Sequence, residues 1–123
     1  MKVKNTTKKA ELSEQAHYKD SFLGRFRGLM LTKKSDAVLA AEKEGVLETT
    51  IHMMNMRYPI DVVWVGEDMK VKDVAKNVRP FNILKPSTWR TYKPKAPAKY
   101  VVELGRNTAQ DTEVGDTIEF LTP

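Results

Sequence analysis

Apolar residues along the chain gather in short runs separated by charged or turn-forming clusters, and the spacing of those runs predicts strands. Segments 38–41, 49–54, 60–65, 71–78, 100–104 and 117–121 carry the β-branched and aromatic content of short strands. Gly66-Glu67-Asp68-Met69 between two of them predicts a hairpin. One stretch has helical spacing instead: Phe22, Leu23, Phe26, Leu29 and Met30 fall within about 120° of a helical wheel, with Ser21 or Asp20 as the cap. Gly24 and Gly28 lie together on the opposite side, flanked by Arg25 and Arg27. Segment 79–98 contains Pro80, Pro86, Pro94 and Pro97 and reads as a long loop, because proline can neither donate to a ladder nor continue a helix. With the helical pattern ahead of most strands rather than between them, the chain is expected to be mainly β, a sandwich or small barrel with one short helix near residues 20–30.

The length of 123 residues fits a single domain over 1–123, with the Pro-rich loop at about 79–98 as its largest irregular part. The absence of cysteine excludes disulfides, thiolate catalysis and Cys-ligated zinc, and suits a reducing cytoplasm. The N-terminal segment turns polar after two residues, unlike a signal peptide, and no window approaches the roughly 18 apolar residues of a membrane span.

Charge is unevenly distributed. Residues 1–34 hold nine Lys/Arg against three acids and residues 70–106 hold ten against two, so these blocks are +6 and +8. Residues 35–69 have two bases and seven acids, and residues 107–123 have four acids and no base. If segments 1–34 and 70–106 share a face, nucleic acid or another polyanion becomes a possible partner. The plain alternative is a solvated, lysine-rich exterior.

Candidate chemistry centres on Asp61, an ionisable residue inside the apolar run 60–65. Buried without donors or a counter-charge, it would cost several kcal/mol. Arg27 could grip it bidentately, fastening helix to strand, and Asn55 could add donors. The group either satisfies itself structurally or leaves one edge for a ligand. Trp89 and Tyr92, with Arg90 between them, could stack on a sugar, a base or a peptide proline; alternatively Trp89 plugs the end of the fold. Ligand binding is therefore assigned to Arg27, Asn55, Asp61, Trp89 and Tyr92, for an unknown small molecule or peptide. His52 with Met53, Met54 and Met56 would suit Cu(I), but strand alternation splits the set and methionine commonly fills cores, so no metal or cofactor is assigned. No nucleophile elbow, P-loop or dinucleotide fingerprint occurs. An enzyme would have to use Asp61 with His52, or Asp61 and Glu103 facing across a cleft. A binding or accessory role is the better expectation, with the oligomeric state open.

Five ordered landmarks, Gly24-Arg25-Phe26-Arg27-Gly28-Leu29-Met30, His52-Met53 with Asn55-Met56, Pro59-Ile60-Asp61-Val62-Val63, Val101-Val102-Glu103-Leu104 and Gly115-Asp116, resemble those of the uncharacterised family called domain of unknown function 192. The resemblance implies a jelly-roll-like, mainly β domain with one short helix, and no activity. The chain departs from the pattern at Met54, where many members have lysine, at Gly105, which follows Leu104 at once, and at Asp68-Met69, where Asp-Gly is usual. The last two departures predict altered turns.

Overall fold

The computed structural model describes residues 1–19, 36–46, 49, 51–52, 59–78, 91–105 and 107–122. Within them the chain is built from strands, and the expected helix near residues 20–30 lies outside the described residues. The strands are β1 (Lys2–Asn5), β2 (Ala10–Ser13), β3 (Ala16–Lys19), β4 (Asp36–Gly45), β5 (Ile51–His52), β6 (Ile60–Val65), β7 (Val71–Val78), β8 (Thr91–Tyr92), β9 (Ala98–Leu104) and β10 (Ile118–Leu121). They form a three-stranded sheet in the order β10-β1-β2, a five-stranded sheet in the order β3-β4-β9-β6-β7, and a two-stranded ribbon of β5 and β8. The large sheet is open, with β3 and β7 at its ends, so the architecture is layered and the small-barrel alternative is set aside.

The apolar character of 60–65 around Asp61 is explained by position. β6 lies between β9 and β7, and every one of its residues is buried, as a strand covered on both faces must be. Val63 and Val65 project toward the small sheet and pack with Val3, Leu12, Val102 and Leu104. Val62 and Trp64 project the other way, with Leu39, Val101 and Val78. The Trp64 indole N–H, deep in that second cluster, donates to the Thr49 carbonyl at 2.7 Å, which satisfies its polar end.

The N-terminal strands escaped the hydrophobic pattern because each contributes little to the core. β1 carries Val3 between lysines, β2 carries Leu12, and β3 begins with Ala16. Opposite β1, β2 has one residue too many: Val3 pairs with Ser13 and Lys4 with Glu11, leaving Leu12 as the extra residue of a bulge. Its carbonyl accepts a hydrogen bond from the Thr108 hydroxyl instead. Within the Pro-rich segment, Thr91 and Tyr92 pair with His52 and Ile51.

Two hairpin turns each hold a non-glycine residue in the left-handed region. Met69, in the β6–β7 hairpin, has φ of 64°, at the position where the family pattern has glycine, and its side chain packs against the core between the sheets. Lys9 closes the β1–β2 turn with φ of 55° and is exposed. With no packing to lose, Lys9→Gly is expected to stabilise the protein by about 0.5 to 1 kcal/mol through relief of the steric penalty. A rise in the urea midpoint at unchanged slope would show it.

Candidate functional site

Asp61 is 4% exposed and projects toward the small sheet, paired across the ladder with Leu104. Beside it β7 bulges: Ile60 pairs with Val78 but Val62 pairs with Ala75, so two residues of β7 span one step of β6. Asn77, in that bulge, takes φ of 54° and turns its N–H to Asp61 Oδ1 at 2.8 Å. The other oxygen, Oδ2, accepts the Ala109 N–H at 3.1 Å. The carboxylate that the sequence marked as needing donors thus has main-chain donors from two distant segments.

Residues 107–112 gather further bonds of this kind. Besides Thr108 on Leu12, Gln110 Nε2 donates to the Glu11 carbonyl at 2.8 Å, and the Lys76 ammonium donates to the Gln110 carbonyl. At the far end, Asn5 Nδ2 donates to Thr112 Oγ1 at 3.0 Å and to Asp116 Oδ2 at 2.8 Å, while Asn5 Oδ1 accepts the Lys8 N–H at 3.0 Å. Asp116 Oδ2 also accepts the Glu113 N–H at 3.0 Å, and the Lys8 ammonium lies 2.6 Å from Glu113 and 3.5 Å from Asp116. Burial pushes the Asp116 carboxyl upward, but the Asn5 amide, the Glu113 N–H and the Lys8 ammonium together hold it below its ordinary value of 3.8. The bond to Glu113 raises the Lys8 ammonium above 10.5, against its desolvation. Asn5 and Asp116 were absent from the sequence-based candidates. The only signal was Gly115-Asp116 as a family landmark, because the partners are 111 residues apart.

Asp36 is held similarly, accepting from the Ser13 hydroxyl and, at 2.8 Å, from the Gly105 N–H. The altered turn expected at Gly105 is therefore tied to the start of β4.

The alternative in which Asp61 and Glu103 face each other across a cleft does not fit the register. Glu103 pairs with Val62 while Asp61 pairs with Leu104, so the two carboxylates project from opposite faces of one sheet. Glu103 is 5% exposed and has a bonding partner of its own. Arg27, Asn55 and Trp89 lie outside the described residues, as does the Met53–Met56 segment. Tyr92 is placed on β8, opposite Ile51, with His52 opposite Thr91. Among the described residues, no group of three or more His, Cys, Asp and Glu is arranged to hold a metal ion.

The charge blocks also interleave. Lys8 of the first basic block binds acids of the C-terminal block, and Lys2 approaches Glu11 at 3.8 Å. On the outside of the small sheet, a shallow groove of about 560 Å³ is lined by Lys4, Thr6, Lys9, Glu11 and Glu119, both signs together. No helix among the described residues is long and apolar enough to cross a membrane.

Comparison with known proteins places these features. The model of the family DUF192, described as an uncharacterised ACR, matches residues 3–120. A UPF0127 protein of Pyrococcus furiosus is 35% identical over 119 residues, covering 94% of this chain and 95% of that one. A crystal structure of a protein of unknown function from Novosphingobium aromaticivorans superposes with a TM-score of 0.74 at 19% identity, covering 97% of this chain and 82% of that one. Another, of a proposed transcription regulator from Sinorhizobium meliloti, superposes with a TM-score of 0.73 at 16% identity, covering 96% and 89%. At such identities the two structures speak for the fold alone.

Proposed function

The chain belongs to the DUF192 family, and because that membership brings a fold without a reaction, we propose from the chemistry of its segments that it is a non-catalytic binding protein. Its ligand is taken at the end of the β5–β8 ribbon. The observation that carries this reading is the ribbon's register, in which His52 faces Thr91 and Ile51 faces Tyr92. In sequence Asn55 follows His52 by three residues and Trp89 precedes Thr91 by two. We assign the ligand to these three residues because Asn55 and Trp89 flank the His52–Thr91 pair in sequence and Tyr92 stands beside it on β8. A tyrosine and a tryptophan there offer flat, amphipathic surface to a sugar, a base or a peptide proline. Asp61, both of whose oxygens hold main-chain N–H groups, supports the binding role by fixing the frame and not by acting on a substrate. In this reading the protein works in the reducing cytoplasm, which its cysteine-free composition permits.

Fluorescence quenching tests the reading directly. The two tryptophans are separable, because Trp64 is 1% exposed and its indole is bonded to Thr49, so an aqueous quencher should miss it. Acrylamide is expected to quench Trp89. One class among an oligosaccharide, nucleotide and proline-rich peptide panel should then protect it. Tyr92→Ala should weaken that ligand about tenfold, roughly 1.4 kcal/mol, with little change in the urea midpoint. Two quencher-protected tryptophans in the ligand-free protein would sink the proposal.

A further inference from the structure

The segment 107–112 is held to the fold in an unusual way. It joins β9 to the turn before β10 without belonging to either sheet, and side chains make most of its bonds to neighbours. Thr108 and Gln110 reach carbonyls of β2, Asn5 of β1 reaches Thr112, Lys76 of β7 reaches the Gln110 carbonyl, and Asp61 of β6 receives the Ala109 N–H. Two of its residues, Asn107 and Gln110, are in the left-handed region at φ of 56° and 55°, and both are exposed. Between them Ala109 is 0% exposed and packs into the core between the sheets.

We propose that residues 107–112 form a strap, latched by Asp61, that opens as a unit while both sheets stay folded. The ladder bonds of the sheets do not depend on it, since its ties are side-chain bonds and one small apolar plug. Opening releases two residues from a crowded backbone conformation, which offsets part of the lost bonding. It uncovers the Asp61 carboxylate and the Leu12 carbonyl, two acceptors on an apolar floor that are sealed while the strap is closed. The strap is thus a gate between a sealed interior and one that offers acceptors to a donor-bearing group. Low-stability units of this type open well below the free energy of global unfolding.

Native-state hydrogen exchange reads the proposal. The Ala109 amide is expected to exchange at least about tenfold faster than those of Val63 and Val102, with a rate that barely responds to low urea while the sheet amides respond steeply. Thr108→Val, which removes only the hydroxyl bond to Leu12, should speed Ala109 exchange several-fold and leave the sheet amides as they were. Exchange of Ala109 at the sheet rate with the sheet's urea dependence overturns the strap. Equal acceleration of all three amides by Thr108→Val overturns it too, because the segment would then unfold only with the rest.

Discussion

Replacing Asp61 with alanine is expected to cost about 2 to 5 kcal/mol of folding free energy. The side chain is 4% exposed, and its loss orphans the N–H groups of Asn77 and Ala109 together. Neither has an easy substitute. The Asn77 N–H is turned inward by the bulge of β7 while its side chain stays exposed, and Ala109 is itself fully buried. The β7 edge of the large sheet and the segment capping β2 therefore loosen from one substitution. Asp61→Asn retains the shape but sets an amide N–H₂ against one of the two donors, so a loss of about 1 to 3 kcal/mol is expected. Urea unfolding measures both variants. A change for alanine below roughly 0.5 kcal/mol would mean that water replaces the carboxylate without penalty, and the structural role assigned to Asp61 would be wrong.

Asn5→Ala should be nearly as damaging, at about 2 to 4 kcal/mol near neutral pH. Asn5 is 0% exposed and bonds to Thr112, Asp116 and the Lys8 main chain. Removing it leaves the Asp116 carboxylate, 3% exposed, with fewer donors against its desolvation. The loss has a pH signature. Asp116 titrates below 3.8 in the folded protein, so its contribution is present above the unfolded value and disappears as pH falls through the folded one. In the variant the carboxylate has lost the Asn5 amide, the strongest of the groups that hold it down. The difference between the two proteins should accordingly be largest at neutral pH and shrink as the pH falls below 3.8 through the lowered folded value, beyond which the carboxyl is protonated in both and charge no longer needs the amide. Urea titrations from pH 7 to pH 3 would show the curves converging. A difference constant with pH would assign the loss to packing alone.

Local pattern made the middle of the molecule readable. The limits of β6 and β7 agree with the expected 60–65 and 71–78, because β6 is buried on both faces and the hairpin between them is short. Asp61 was found for the same reason, as a charge where the surroundings permit none. What pattern could not supply was its partners. An Arg27 side chain is an obvious donor in a sequence, whereas the main-chain N–H groups of Asn77 and Ala109 exist as donors only after a bulge and a turn have formed. β1, β2 and β3 were invisible because a strand with one or two inward side chains among lysines looks like solvated chain. Face assignment likewise required register: Asp61 and Glu103 read alike as acids in apolar strands, and only the pairing of Val62 with Glu103 sets them apart. Asn5 and Asp116 are polar residues in polar segments, and nothing local marks them as buried.

The pairing of β1 with β10, which sets Lys2 opposite Leu121, constrains the order in which the molecule can be assembled. β1 is the middle strand of its sheet, yet one neighbour is synthesised at once and the other more than a hundred residues later. On a ribosome the hairpin of β1 and β2 emerges long before β10, with Val3 and Leu12 exposed and the Asn5 amide facing water. A two-stranded hairpin is marginal by itself, so this end of the chain waits while the larger sheet forms behind it. With the larger sheet already folded between them, the two ends are held near each other, and the pairing of β10 with β1 closes a loop whose cost was met when that sheet formed. Maturation of the fold therefore runs from the large sheet outward, with the pairing of β1 and β10 following it.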